Sequence, residues 1–447
     1  MRRITPPQMV IFSYLCAICL GTIALSLPLA VRGEGSLSLV DSLFTATSAT
    51  CVTGLVVQDT GTYFSGFGRW VIFLLFQMGG LGIMTFSTLF AVMLGRKIGL
   101  GSSDVIRNTL DGRNIIGLKK LIGYILGITV AAEIAGATFL FLRWKLTTDW
   151  PVVETIQKAL FHSVSAFCNA GFALFSTSFT RFETDPYINA IMIALIFTGG
   201  IGFVVIVDVI GFFFRKGAER RLSLQSKMAI SISAALIVLG MLALVFFEKD
   251  NIMSGLTCPQ RFIGGAFQSV TARTAGFNTL PIGNLTVPSL LVLIFLMFIG
   301  ASPGSTGGGI KTCTFGVIVA SVWNMMKGRK RIHYFDRSMS RQVIRGSLVV
   351  FFLALSWVFV FAVLVSFFQA GQTGDRSFIK ILFEVVSAFG TVGLSTGITG
   401  ELSGISKLCI TATMFVGRIG PLTLALALAF RERKEGYILP EEEVMVG

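Results

Sequence analysis

Polar positions along this chain are scarce and clustered, and the stretches between them are apolar on every side. Runs at 8–31, 70–94, 121–142, 187–214, 228–247, 347–368 and 408–430 each reach the length of a membrane span, since about 20 helical residues cross the hydrocarbon of a bilayer. An eighth run, 285–326, is broken by Phe298-Ile-Gly-Ala-Ser-Pro-Gly-Ser-Thr-Gly-Gly-Gly-Ile-Lys-Thr312. Five glycines and a proline between 300 and 309 cannot sustain a regular helix. Helices that are apolar all round belong in lipid or in a very large core. The pattern predicts an all-α polytopic membrane protein.

Between the spans one short pattern occurs four times. The copies run Phe44 to Gly54-Leu55, Phe161 to Gly171-Phe172, Phe267 to Gly276-Phe277 and Phe383 to Gly393-Leu394. In each, Ser48, Ser165, Thr271 or Ser387 stands four residues after the Phe. The Gly follows the Phe by ten residues in three copies and by nine in the third, and the glycines are 117, 105 and 117 residues apart. Such regular repetition predicts one structural unit present four times. The unit is a helix, a short re-entrant helix with its turn, and a second helix. The units fall at 1–95, 115–215, 226–327 and 341–431, followed by a cytoplasmic tail at 432–447. A pseudo-fourfold arrangement around one central pore is expected.

The re-entrant segments are about ten residues long and begin near Asp41, Glu154, Gln260 and Asp375, polar groups that suit a helix N-terminus. Their partially negative C-terminal ends then point towards the membrane centre, which favours a cation. Glycine takes positive φ at little cost, so neighbouring carbonyls can be aimed at one axis. Irregular backbone at membrane depth is tolerated where it lines a cavity or is buried in protein. The candidate ion ligands are therefore the backbones of Val52, Thr53 and Gly54, of Asn169, Ala170 and Gly171, of Thr274, Ala275 and Gly276, and of Thr391, Val392 and Gly393. Four ordinary outer turns are the plain alternative, and four copies with similar flanks argue against it.

Charge fixes the orientation. The chain is 53% hydrophobic and 13% charged, with a net charge of +14. Arg2-Arg3, Arg96–Lys120, Arg215–Lys227, Lys327–Arg345 and Arg431–Lys434 hold 23 of the 37 basic residues, and all lie on one side when eight spans are threaded alternately. This is the positive-inside bias. It places both termini in the cytoplasm, brings the four motifs in from outside, and assigns the positive charge to topology and membrane lipid, not to nucleic acid. The first apolar run reads as a first span, not a cleaved leader.

Seven cysteines show no disulfide framework: Cys16-x-x-Cys19 reads as packing in lipid and Cys258 as a lone residue of an outer loop. His162 and His333 are too few and too distant for a metal site, and no catalytic constellation marks an enzyme. The 300–312 run resembles a phosphate loop, but Ile310 intervenes before Lys311-Thr312 and no strand precedes it. A simple kink is its bland reading. Arg418 is the lone charge within 408–430. It either pairs with Asp208 or Glu133 or faces a cavity. Arg273, beside the third turn, pairs with an acid behind it, the favoured reading, or repels cations at its rim.

Four such units in one chain resemble the Trk/Ktr/HKT superfamily of potassium transporters. The resemblance rests on Thr-Gly54-Leu, Asn-Ala-Gly171-Phe, Thr-Ala-Gly276-Phe-Asn, Thr-Val-Gly393-Leu and Gly-Arg418-Ile-Gly-Pro-Leu-Thr, and it covers the whole chain. The chain looks most like the KtrB branch: no extra helices precede the first unit, and the end reads Pro440-Glu-Glu-Glu-Val-Met-Val-Gly447. The resemblance implies that Gly54, Gly171, Gly276 and Gly393 are selectivity-filter glycines. It implies potassium uptake across the bacterial inner (cytoplasmic) membrane through a channel-like pore, with potassium as the transported ion and no organic cofactor. Sodium as an activating ion is left open, and a sodium or weakly selective cation channel is the alternative. A secondary transporter of an organic solute fits less well, because it predicts two halves and a polar pocket. The resemblance makes 300–312 an intramembrane loop, with Gly304, Ser305, Thr306, Gly307, Gly308, Gly309 and Lys311 forming a gate together with Arg418. It also implies a homodimer seated on a cytosolic ring of nucleotide-binding regulatory subunits. Docking falls to 215–227 and 327–345, through Arg220, Arg221, Lys327, Arg329, Lys330 and Arg331, and the acidic tail Glu441–Gly447 falls to the dimer contact.

Overall fold

A long helix, a short buried helix and a further helix follow one another four times in the computed structural model, which describes residues 6–82, 118–214, 221–329, 331–335, 337–370 and 377–421. The first set is α1 (Pro6–Ser26), α2 (Leu39–Thr50) and α3 (Gly66–Leu81). The second is α4 (Leu118–Thr147), α5 (Val152–Phe167), α6 (Pro186–Ile201) and α7 (Phe203–Phe214). The third is α8 (Leu224–Glu248), α9 (Cys258–Thr271), α10 (Val287–Phe298) and α11 (Thr312–Met326), and the fourth is α12 (Arg341–Gln369), α13 (Phe378–Gly390) and α14 (Gly404–Ile419).

The helices start where the sequence supplies a cap. Side chains of Ser38, Ser65, Asp185, Ser223, Ser340 and Ser403 accept hydrogen bonds from first-turn N–H groups. Thr257 and Gln260 form a capping box at α9, which makes Cys258 the first residue of a helix and not part of a loop. Asp41 and Glu154 lie in the first turns of α2 and α5. The fourth short helix begins after Ser377, and Asp375 lies outside the described residues.

Among the described residues, four helices, α1, α4, α8 and α12, are long and apolar enough to cross a membrane alone. Their outer faces carry exposed Leu20, Phe139, Leu239, Phe246 and Phe359, apolar groups that suit lipid contact. The protein is thus a multi-pass membrane protein. The short helices α2, α5, α9 and α13 sit inside this shell. The Phe that opens each repeated pattern anchors them: Phe44, Phe161, Phe267 and Phe383 are all buried.

The expected break between α10 and α11 is present. The continuous span expected at 187–214 is not: α6 and α7 meet at 99°. Gly202 makes the corner with φ of 96°, and Phe203 N–H is drawn away to the carbonyl of Gly304 at 3.0 Å. α3 and α14 also end at positive-φ glycines, Gly82 and Gly420. The later parts of the expected spans, 83–94 and 422–430, lie outside the described residues. So do Arg2, Arg3, most of Arg96–Lys120, the stretch 215–220, Lys330, Arg431–Lys434 and the tail Glu441–Gly447.

Within the basic segment 327–345, read as a loop, two short strands pair antiparallel, β1 (His333–Tyr334) and β2 (Arg337–Ser338), a small departure from an all-helical fold beside the isolated bridges Val31–Phe64 and Ile299–Ile310. Tyr334 pins this hairpin to α8 through Ser231 at 2.8 Å, and Asn324 ties it to α11 through the His333 carbonyl at 2.8 Å.

Two glycines test the role of the corner. Gly202→Ala should lower the thermal stability of the purified protein, since a left-handed non-glycine costs about 1–2 kcal/mol and a Cβ there would meet Pro303 O at 2.5 Å. Gly346→Ala, inside α12 with nothing within 4 Å, should raise stability by up to about 1 kcal/mol. Equal melting temperatures for the two variants would contradict this account.

Candidate functional site

Each short helix ends by a route that the sequence does not advertise. Val52, Asn169, Thr274 and Thr391 adopt positive φ, at 57°, 58°, 79° and 49°, two residues before the glycine of their copy. In three copies the terminus is a Schellman motif. Thr53, Ala170 and Val392 N–H groups reach back to the carbonyls of Ser48, Ser165 and Ser387, at 2.7, 2.7 and 2.8 Å. In the third copy Ala275 N–H reaches Thr271 O, at 2.9 Å, one residue nearer, and this absorbs the missing residue of that copy. Glycine is the usual occupant of this left-handed site. Val, Asn and Thr stand there instead, so the sequence located the turn at the following Gly alone. Gly54, Gly171, Gly276 and Gly393 are left-handed as well, with φ of 88°, 71°, 79° and 91°.

The Ser or Thr of each pattern, to which the sequence reading gave no work, braces the turn. Ser48 Oγ donates to Leu55 O at 2.7 Å and accepts from Gly54 N–H at 3.1 Å. Ser165 Oγ donates to Phe172 O at 2.8 Å, and Thr271 Oγ1 to Phe277 O at 2.7 Å. Ser387 Oγ accepts from Gly393 N–H at 3.1 Å. The fixed four-residue spacing from Phe to hydroxyl, with a Gly five or six residues further on, was the available signal.

The four turns touch in cyclic order. A Cβ built on Gly54 would meet Ala170 O, one on Gly171 would meet Ala275 O, one on Gly276 would meet Val392 O, and one on Gly393 would meet Thr53 O, all at 3.0 Å or less. Each glycine therefore lies against the carbonyl that precedes the glycine of the next copy, and the fourth returns to the first. Val52, Thr53, Asn169, Ala170, Thr274, Ala275, Thr391 and Val392 are fully buried. Among the described residues, no carbonyl of 52–54, 169–171, 274–276 or 391–393 accepts a protein hydrogen bond.

The 300–312 segment runs directly against these turns. Gly307 and Gly308 face the side chains of Thr274 and Thr391 so closely that a Cβ on either would collide with the hydroxyl, and Gly308 N–H donates to Thr391 Oγ1 at 3.0 Å. Ser302 and Thr306 N–H groups cap the end of α6 at Gly200 O and Gly199 O, at 3.0 and 3.2 Å. Gly309 N–H reaches Gly417 O of α14 at 3.2 Å. Ser305 Oγ donates to Ser302 O and Lys311 Nζ to Gly307 O, each at 2.6 Å. Gly304 and Gly309 supply the left-handed bends. The segment is thus a folded loop with partners in three copies, not a kink.

Arg418 ties it to the remaining copy. Its guanidinium donates to Thr306 O of the loop, to Gly79 O of α3 and, through Nε, to Tyr14 Oη at 3.2 Å. The ion pair considered from sequence is not made. Asp208 accepts from Ser223 N–H at 2.8 Å and Ser226 Oγ at 2.7 Å, and Glu133 accepts from Gln77 Nε2 at 3.0 Å. Arg418 occupies a repeated position of its own: Gly79-Gly80-Leu81-Gly82, Gly199-Gly200-Ile201-Gly202 and Gly417-Arg418-Ile419-Gly420 align, so it stands where two other copies have glycine.

Arg273 corrects the favoured expectation. It is buried beside α6 and α8, in a cavity of about 20 Å³ with Ile196, Ser233 and Val270. It donates to Ser233 O at 3.4 Å. Among the described residues no carboxylate lies within ion-pair reach of it, and no cluster of three or more His, Cys, Asp or Glu side chains offers a metal site.

The chain has relatives, and its fold has a counterpart. The chain is similar to Ktr system potassium uptake protein B of Bacillus subtilis, with 37% identity over 447 residues covering 100% of this chain and 97% of that one. It is 34% identical to the potassium/sodium uptake protein NtpJ of Enterococcus hirae, over 100% of this chain and 98% of that one. The crystal structure of the potassium transporter TrkH from Vibrio parahaemolyticus superposes with a TM-score of 0.72, covering 96% of this chain and 86% of that chain at 18% identity, a likeness of fold. The family model of TrkH, described as cation transport protein, matches residues 18–435, and the chain belongs to that family.

Proposed function

We propose that this protein carries potassium into a bacterial cell across the cytoplasmic membrane, through a channel-like pore with the four copies in pseudo-fourfold array around it. The observation that carries this reading is the ring of four buried turns whose carbonyls accept no protein hydrogen bond. A buried carbonyl without a partner is costly, and a partly dehydrated cation on the ring axis would satisfy several at once. The backbone of Val52–Gly54, Asn169–Gly171, Thr274–Gly276 and Thr391–Gly393 forms the ion site. The relative named a potassium uptake protein supports potassium, and the relative named a potassium/sodium uptake protein makes sodium the competing ion to measure. Gly393→Ser would drive a Cβ into Thr53 O. It should raise the potassium KM and relax discrimination against sodium in reconstituted vesicles, measured with potassium, rubidium and sodium. Unchanged affinity and selectivity for this and the equivalent substitutions at Gly54, Gly171 and Gly276 would sink the assignment.

The 300–312 loop and Arg418 form the gate beneath the turns. The partners of Arg418 are neutral, and among the described residues no carboxylate pairs with it. A potassium ion passing about 4 Å away at an effective dielectric of about 20 meets a barrier of about 4 kcal/mol. Arg418→Gln keeps a donor for one of the two carbonyls and removes the charge. Cation flux should rise by at least several-fold while the protein stays folded. A folded variant with wild-type flux would count against the gate.

A homodimer on a cytosolic nucleotide-binding ring completes the reading, with support from relatives named as members of a Ktr system. Lys327, Arg329 and Arg331 are exposed at the foot of α11 beside the β1–β2 hairpin, a basic corner suited to a partner. Arg329→Glu with Arg331→Glu should weaken capture of the ring and leave the dimer intact in size-exclusion measurements. Wild-type capture across a salt series would assign these residues to lipid contact and topology alone.

A further inference from the structure

The residue after each pattern Phe is polar in all four copies: Thr45, His162, Gln268 and Glu384. All four are buried. In the second and fourth copies this side chain reaches the chain just beyond the turn, at the same register. His162 Nε2 accepts from Leu174 N–H at 3.1 Å, three residues after Gly171. Glu384 Oε1 accepts from Thr396 N–H at 2.9 Å, three residues after Gly393. Each latch is reinforced. His162 Nδ1 lies 2.7 Å from Lys158 O, and its ring stacks on Phe175 with centroids 4.6 Å apart. Glu384 also accepts from Ser395 Oγ and Thr399 Oγ1, each at 2.7 Å. In the first and third copies the same position makes no bond: Thr45 Oγ1 and both amide atoms of Gln268 are buried without partners, as is Thr279 Oγ1, three residues after Gly276.

We propose that His162 and Glu384 are positioning residues for ion discrimination, clamping the outer end of the turn in two opposite copies while the other two stay unclamped. This rests on the turns forming the ion site, with copies two and four opposite in the cyclic order. A carbonyl whose backbone is held on both sides of the glycine cannot close around a smaller ion. A turn held only by its Ser or Thr brace can adjust as ions enter and leave. Two stiff and two compliant walls then set selectivity and release separately.

The test compares both kinds of copy in reconstituted vesicles, with melting temperature recorded alongside. Glu384→Ala removes the acceptor for Thr396 N–H, Ser395 Oγ and Thr399 Oγ1 and should raise the sodium-to-potassium permeability ratio and the potassium KM by about tenfold or more, with less change in maximal rate. Glu384→Gln keeps an acceptor for Thr396 N–H and should restore most of the selectivity. Thr399→Val removes a bond without emptying the site, and serves if Glu384→Ala does not fold. His162→Gln should behave like Glu384→Gln. Thr45→Val and Gln268→Leu should leave both parameters near wild type. Wild-type selectivity in folded Glu384→Ala or Thr399→Val overturns the proposal, as does an equal shift in Gln268→Leu. Gly393→Ser, run beside them, separates the two levels: if it shifts selectivity and the clamp variants do not, only the clamp fails, and if it too is silent, the ion site itself is misplaced.

Discussion

A peptide carbonyl in a low-dielectric interior must find a partner, and most of this architecture follows from leaving a few of them without one. Helices in lipid satisfy their own backbone. The short helices α2, α5, α9 and α13 stop halfway, and their final residues turn left-handed. The carbonyls beyond are released from the helical ladder. Everything around them compensates. Ser and Thr hydroxyls take up nearby N–H and C=O groups, Schellman bonds close the helix ends, and an apolar shell of phenylalanines fixes the elements that hold the turns.

The same economy explains where side chains are missing. A Cβ at Gly79, Gly199 or Gly417 would collide with the carbonyls of Thr50, Phe167 and Phe389 at the ends of three of the short helices. The glycines of α3, α6 and α14 therefore let an outer helix press against the terminus of an inner one. Below them the 300–312 loop has no ladder of its own. It borrows partners instead, from α6, from α14, from Thr391 and, through Arg418, from α3. A loop whose hydrogen bonds are spread over all its neighbours is held firmly by many weak ties, each of which can be exchanged.

The four long spans α1, α4, α8 and α12, the places of the four short helices and the break at 300–312 were legible because they are written in long apolar runs and in spacing. The corner at Gly202 was not: 187–214 is apolar throughout, and one glycine in such a run reads as tolerated until Gly304 offers a competing acceptor for Phe203. The left-handed Val52, Asn169, Thr274 and Thr391 were hidden for the converse reason, since their residue types favour other conformations and only tertiary contacts hold them there. Arg418 stood out in the sequence as a lone charge, but its partners are two backbone carbonyls and the Tyr14 hydroxyl, which no residue pattern announces. The acid expected beside Arg273 failed similarly, because sequence shows that a charge is buried without showing what faces it.

Arg418 also illustrates what a single chain with four unlike copies can do that a tetramer of identical subunits cannot. Of the three aligned copies, two have Gly80 and Gly200 at this position and one carries a cation. A rotationally symmetric assembly places any residue on its axis as many times as it has subunits, so its smallest positive increment there is fourfold. Four unlike copies in one chain break that quantum. The proposed pore could then be tuned in steps of one elementary charge, by substitutions confined to one copy.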